Sequence, residues 1–96
     1  MSFHKPKSVG GIIRITEMDQ ELITAKGCGI DVEGIIQINL SSVCITNKST
    51  STIMININNG MYVPMEAGHS IPVSTGAVES VKIKNKGATI HWLGLL

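Results

Sequence analysis

Aromatic side chains are scarce: Phe3, Tyr62 and Trp92 are the only ones in 96 residues. Single-strand nucleic-acid folds and sugar-binding sandwiches rely on aromatic platforms, where stacking is worth roughly 1 to 3 kcal/mol per base. A chain this poor in rings offers no such platform. Trp92 alternates with His91 and shares a strand face with Ile90, which places it in a core. Tyr62 stands between Met61 and Val63, which point the other way, so it is expected on the outside as a candidate recognition residue.

Charge is equally sparse. Eight basic and seven acidic residues leave a net charge of +1, with no electrostatic footprint for nucleic acid or an anionic membrane. No stretch approaches the roughly 18 consecutive apolar residues of a membrane span. Two cysteines, Cys28 and Cys44, are too few for a disulfide framework. The start, Met1-Ser2-Phe3-His4-Lys5-Pro6, has no apolar core segment, so no secretory leader is expected and both thiols are read as free in a reducing compartment. Cys44, inside Ser42-Val43-Cys44-Ile45-Thr46, is expected as a small buried hydrophobe, and Cys28, between Gly27 and Gly29, near a turn or bulge.

Catalytic chemistry is thin as well. His4, His69 and His91 are scattered, and none lies at metal-ligand spacing from another His or Cys. Asp31 and Glu33 precede Gly34 without the remaining oxygen ligands of a calcium loop. There is no Gly-x-Ser-x-Gly elbow and no glycine-rich phosphate cradle opening a helix. No enzyme, cofactor, metal or small-molecule substrate is therefore expected, and no catalytic residue is assigned.

What the chain does contain is short apolar alternation separated by turn residues. In Ile53-Met54-Ile55-Asn56-Ile57 the three isoleucines share one strand face, and Asn58-Asn59-Gly60 supplies a positive-φ reversal. Val81-Lys82-Ile83-Lys84 repeats the pattern, Asn85-Lys86-Gly87 turns the chain, and Ala88 to Trp92 returns as the partner of a final hairpin. Val43 to Asn47 is expected to pair with the Ile53 strand across the polar loop Lys48 to Thr52. Ile36, Ile38 and Leu40 mark another inward face, and Ile12 to Thr16 a first strand. Pro64 and Pro72 restrict their segments to sheet edges. The expected fold is a small antiparallel β-sandwich of about seven or eight short strands, with residues 1–11 as a flexible N-terminal arm and residues 12–96 as the single domain.

So small a chain buries only about two thirds of its unfolded surface, and it finishes in Leu93-Gly94-Leu95-Leu96 with no charge to interrupt the leucines. Those side chains need cover, so a homo-oligomer is expected. Phe3 and Val9 of the arm and Leu93, Leu95 and Leu96 are the candidate contacts. Met54 and Met65 are expected on outer or rim surfaces. His91, on an outer face, joins Tyr62 as a candidate for surface recognition.

Residues Met65 to Val73, Val78 to Asn85 and Gly87 to Gly94 resemble segments of small β-sandwich structural proteins of tailed bacteriophages, in which a hairpin with a Glu-Ala-Gly or Pro-Gly turn precedes a strand of the Val-x-Ile-Lys type and a Gly-Ala-Thr-Ile-like strand closes near Leu-Gly. The resemblance spans residues 43–94. It implies a non-enzymatic component of a virion or phage-derived tail-like particle. Such a protein assembles with itself and other virion proteins, is made in the bacterial host cytoplasm, and has no cofactor or catalytic residue. The alternative is a β-sandwich module that recognises a cell-surface glycan or host protein through loops such as Lys48 to Thr52.

Overall fold

The computed structural model describes residues 7–29, 38–74 and 77–96. Eight strands run in chain order: β1 Ser8–Arg14, β2 Gln20–Glu21, β3 Ser42–Asn47, β4 Ile53–Ile57, β5 Val63–Met65, β6 Ser70–Val73, β7 Val81–Ile83 and β8 Thr89–Leu95. They form two four-stranded antiparallel sheets, ordered β1-β8-β3-β6 (sheet A) and β2-β7-β4-β5 (sheet B). The expected all-β sandwich is therefore the fold, with no helix among the described residues.

The connectivity is more specific than the sequence suggested. β1 pairs with β8, β2 with β7, β3 with β6 and β4 with β5, as one long folded ribbon. Rolling that ribbon brings β8 against β3 and β7 against β4. This is the jelly-roll order, which distributes the two halves of the ribbon over both sheets. One tight hairpin remains, between β4 and β5, where Asn58 and Asn59 take φ of 53° and 55° as a two-residue reversal requires. The Asn58 side chain then fastens the turn to the chain approaching β7. Its Nδ2 donates to the Ala77 carbonyl at 2.9 Å and its Oδ1 accepts from Glu79 N–H at 2.7 Å.

Two expected hairpins are corrected. β3 and β4 lie in different sheets, as do β7 and β8. A strand has two edges, and those of β3 are taken by β8 and β6, while those of β4 are taken by β7 and β5. The connections therefore arch from one sheet to the other. Asn47 fixes the first arch from a fully buried position. Its Nδ2 donates to the carbonyls of Ser51 at 2.9 Å and Met65 at 3.0 Å, and its Oδ1 accepts from Ser49 N–H at 2.9 Å. The bond to Met65 is buried and the other two are partly so, and at this buried position an unpaired amide would be costly. In the second arch Gly87 adopts φ of 89° and its N–H donates to the Ile15 carbonyl at 2.7 Å, while Asn85 Oδ1 accepts from Met54 N–H at 2.8 Å.

The arm boundary also moves. Ser8 to Gly11, expected as flexible, are the first half of β1, in register with Leu95 to Trp92 of β8. Gly10 must be glycine: at φ of 119° an added Cβ would overlap the Trp92 carbonyl oxygen. Phe3 and the Asp31 and Glu33 pair lie outside the described residues, as does most of the strand expected around Ile36. Its end is visible, because Ile38 and Leu40 are buried and Leu40 forms a bridge with Val78.

The core between the sheets is aliphatic, built from Leu40, Ile45, Ile55, Val78, Val81, Ile83 and Ile90, all fully buried, with Trp92 as its one ring. Met65 belongs to this core and not to a rim surface. Glu21 fastens the short β2 to its neighbours, its carboxylate accepting from Val81 N–H at 2.7 Å, from Ile23 N–H at 3.2 Å and from the Ser80 hydroxyl. Cys44, expected as a small buried hydrophobe, is exposed, whereas Cys28 lies in a turn as expected and is buried, which pushes its thiol pKa up; both are free. The alternation explains Cys44: Val43 and Ile45 face inward, so the residue between them faces out.

Candidate functional site

The outer face of sheet A is assembled by strand register. One cross-strand row runs Gly10, Leu93, Cys44, Pro72, and the next runs Ile12, His91, Thr46, Ser70. A third aligns Ser8, Leu95 and Ser42, and Arg14 stands beside Thr89 at the far corner. The face forms because β8 alternates strictly. Ile90, Trp92 and Gly94 point into the core, leaving His91, Leu93 and Leu95 on the outside. Gly94 is needed there, since an added Cβ would press on the Leu40 side chain at 2.7 Å.

Two properties distinguish this face. Ile12 is 73% exposed and Leu93 is 52% exposed, and the open Cys44 and Pro72 extend the apolar row to the sheet edge. Arg14 is its one residue of fixed charge. Loss of charge together with large apolar side chains at the centre is the compositional mark of a protein interface. The outer face of sheet B is polar by comparison. Lys82 Nζ donates to Asn59 Oδ1 at 2.9 Å, and the register aligns Glu21, Lys82 and Asn56 across that face.

The expected contact residues separate on these coordinates. Leu93 is exposed on sheet A, and Leu95 lies half-buried on the same side. Val9 and Leu96 pack against the core of their own chain, and Leu96 N–H donates to the Lys7 carbonyl at 3.0 Å. Their apolar surface is thus largely used internally. Ile12, Cys44 and Pro72 join the face without having been singled out. The signal for Cys44 was present in the alternation, since Val43 and Ile45 on either side of it turn inward, while Ile12 is marked on one side only, by Ile13.

His91 is exposed near the middle of the face, between Ile12 and Thr46. Tyr62 is elsewhere and already engaged. Its hydroxyl donates to Asp19 Oδ1 at 2.6 Å, and Lys84 Nζ sits 5.6 Å from its ring centroid. Ionising the phenol would forfeit that hydrogen bond and also set two negative charges together, so its pKa is pushed up to about 12. Tyr62 therefore links the turn at Asp19 to the start of β5, and only part of its ring is open to a partner.

Two concavities accompany the face. One, of about 480 Å³, opens beside β1 and is lined by Gly11, Ile13, Leu22 and Trp92 with Glu21 and Lys26. The Glu21 carboxylate there is already consumed by its internal hydrogen bonds. The other, of about 390 Å³, lies between the two arches at one end of the sandwich. Among the described residues no three His, Cys, Asp or Glu side chains gather as metal ligands, and no helix is long and apolar enough to cross a membrane. Compared with protein-family models, curated proteins and solved structures, the chain matches none.

Proposed function

We propose that this protein is a non-enzymatic structural component of a phage virion or phage-like tail particle, and that it assembles through the outer face of sheet A. The observation that carries the reading is that face itself: an apolar row across all four strands with Arg14 as its one fixed charge. The jelly-roll order supports it by analogy, since the same frame serves viral capsid domains. The resemblance of residues 43–94 to phage β-sandwich proteins points the same way.

A second copy of this chain is the first occupant of the face, with other virion proteins as further neighbours. A face with almost no fixed charge meets an identical one without like-charge repulsion, and burial of Ile12 and Leu93 supplies the attraction at about 25 cal/mol per Å² of apolar surface removed from water. Residues of the N-terminal segment, Phe3 among them, are proposed as added contacts.

Cys44 provides a built-in reporter, because it lies in the central row beside Leu93. The expected result is that a thiol reagent modifies one cysteine quickly in dilute protein, Cys28 being buried and its thiol raised in pKa. Modification of Cys44 slows as the protein concentration rises and subunits associate. A labelling rate indifferent to concentration across an oligomerisation transition would place the interface on another surface.

A further inference from the structure

The cleft between the two arches has a chemistry that assembly through sheet A does not use. It is lined by Lys48, Ser49, Thr50 and Ser51 of the β3–β4 arch and by Asn85, Lys86 and Thr89 of the β7–β8 arch, with Ile53 and Ala88 as its buried floor. Its volume of about 390 Å³ is within the usual range for small-ligand sites, roughly 300 to 1,000 Å³. Two lysines border it and no carboxylate does. Neither lysine forms an ion pair within the described residues, where the only such pair joins His69 to Glu66.

The walls are held in place before any ligand arrives. Lys48 N–H donates to the Thr89 carbonyl at 2.9 Å, and Thr89 N–H donates to the Ser49 hydroxyl oxygen at 2.8 Å, tying one arch to the other. Asn47 braces the first arch from beneath and Asn85 Oδ1 fastens the second to β4. The lining residues then carry a set of side-chain donors, Lys48 Nζ, Lys86 Nζ, Asn85 Nδ2 and the hydroxyls of Thr50 and Ser51, none bonded to another described residue.

We infer that this cleft binds an acidic saccharide, its carboxylate or sulfate set between Lys48 and Lys86 and its hydroxyls on Thr50, Ser51 and Asn85. Two features select this class. No aromatic ring lines the cleft, so a neutral sugar or a base has nothing to stack on. A compact phosphate is favoured by a nest of free backbone N–H groups. Here the N–H groups of Lys48, Ser49, Gly87, Ala88 and Thr89 are spent inside the protein, which leaves those of Thr50 and Ser51 on one arch and of Asn85 and Lys86 on the other, two separate pairs and not one nest. Donors spread over flexible side chains suit an extended ligand that carries both an anion and hydroxyls.

Apart from Thr89 at the corner of sheet A, the inference stands on different residues from the proposed assembly surface, and it does not depend on it. Its test is an amide-resolved NMR titration of the full chain with a galacturonic acid trisaccharide, with maltotriose and inorganic phosphate as separate arms. The expected result is saturable shifts confined to residues 48–51 and 85–89 with the acidic sugar, weakened by added salt as exposed charge contacts are, and little response to the other two probes. Lys48→Glu with Lys86→Glu should keep the melting temperature and weaken binding at least about tenfold; the Gln pair, which removes the charge without reversing it, should fall between. Equal binding of phosphate or maltotriose, absence of shifts, or undiminished binding by the Glu pair would each overturn the inference.

Discussion

Ile55→Asp is expected to leave the chain unfolded, while Met54→Asp, one position away, keeps the fold. Ile55 is fully buried at the middle of β4, paired with Ile83 of β7 and Val63 of β5. Truncating a buried isoleucine costs about 2 to 5 kcal/mol, and leaving a carboxylate there without a partner adds several more. The sum reaches the whole stability of a small domain, about 5 to 15 kcal/mol. Met54 is half-buried on the outer side of the sheet. Its anchoring bonds are made by its backbone, N–H to Asn85 Oδ1 and carbonyl from Lys84 N–H. Its replacement should cost about 1 kcal/mol or less. Far-UV circular dichroism and thermal melts compare the two directly. Equal damage would mean that the outer face of sheet B is also packed.

Deleting Met1 to Gly10 should destabilise the subunit by about 2 to 3 kcal/mol, close to 10 to 20 °C in melting temperature for a domain of this size. The deletion removes the paired stretch Ser8 to Gly10, opposite Leu95 to Leu93, and the half-buried Val9 that packs against the core. It also removes Lys7, whose carbonyl accepts from Leu96 N–H. Each backbone bond is worth about 0.5 to 1.5 kcal/mol net, and the partial burial of Val9 about 1 kcal/mol. Gly10→Ala isolates the same contact without shortening the chain. Its Cβ collides with the Trp92 carbonyl at a φ that non-glycine residues avoid, so it should lower the melting temperature in the same direction. An unchanged melt for both variants would return residues 8–11 to the role of a free arm.

The faces of this protein were legible in its sequence, because period-two alternation is local. Ile45, Ile55, Ile83 and Ile90 fell inward as the pattern required, the Asn58-Asn59 turn took its positive φ values, and Pro64 and Pro72 lie on the edge strands β5 and β6. Sheet membership was not legible. An arch and a hairpin preserve the same alternation, and what separates them is whether both edges of a strand are already occupied, a property of distant residues. Asn47 was the local clue, an amide at an inward position that only a crossing loop could satisfy. Gly10 and Gly11 read as the end of a flexible arm, whereas here φ of 119° and 141° lets an edge strand pass over the backbone at Trp92. The candidate face was half legible. Leu93 and Leu95 announced it, but its neighbours Ile12, Cys44 and Pro72 come from three other strands and meet only through register.

The central claim is that the outer face of sheet A joins subunits, and sedimentation velocity on Leu93→Asp tests it most directly. Leu93 is at the centre of the face and half exposed, so the substitution leaves the fold intact while placing an unpaired carboxylate in the interface. At a cost of about 3 kcal/mol, association weakens roughly 100-fold. Met61→Asp, at an exposed site on the β4–β5 turn, is the control. The account predicts reversible association of the wild-type protein and of Met61→Asp with rising concentration, and a monomer for Leu93→Asp over the same range. A wild-type chain that stays monomeric at high micromolar concentration, or a Leu93→Asp variant that associates as the wild type does, would contradict it.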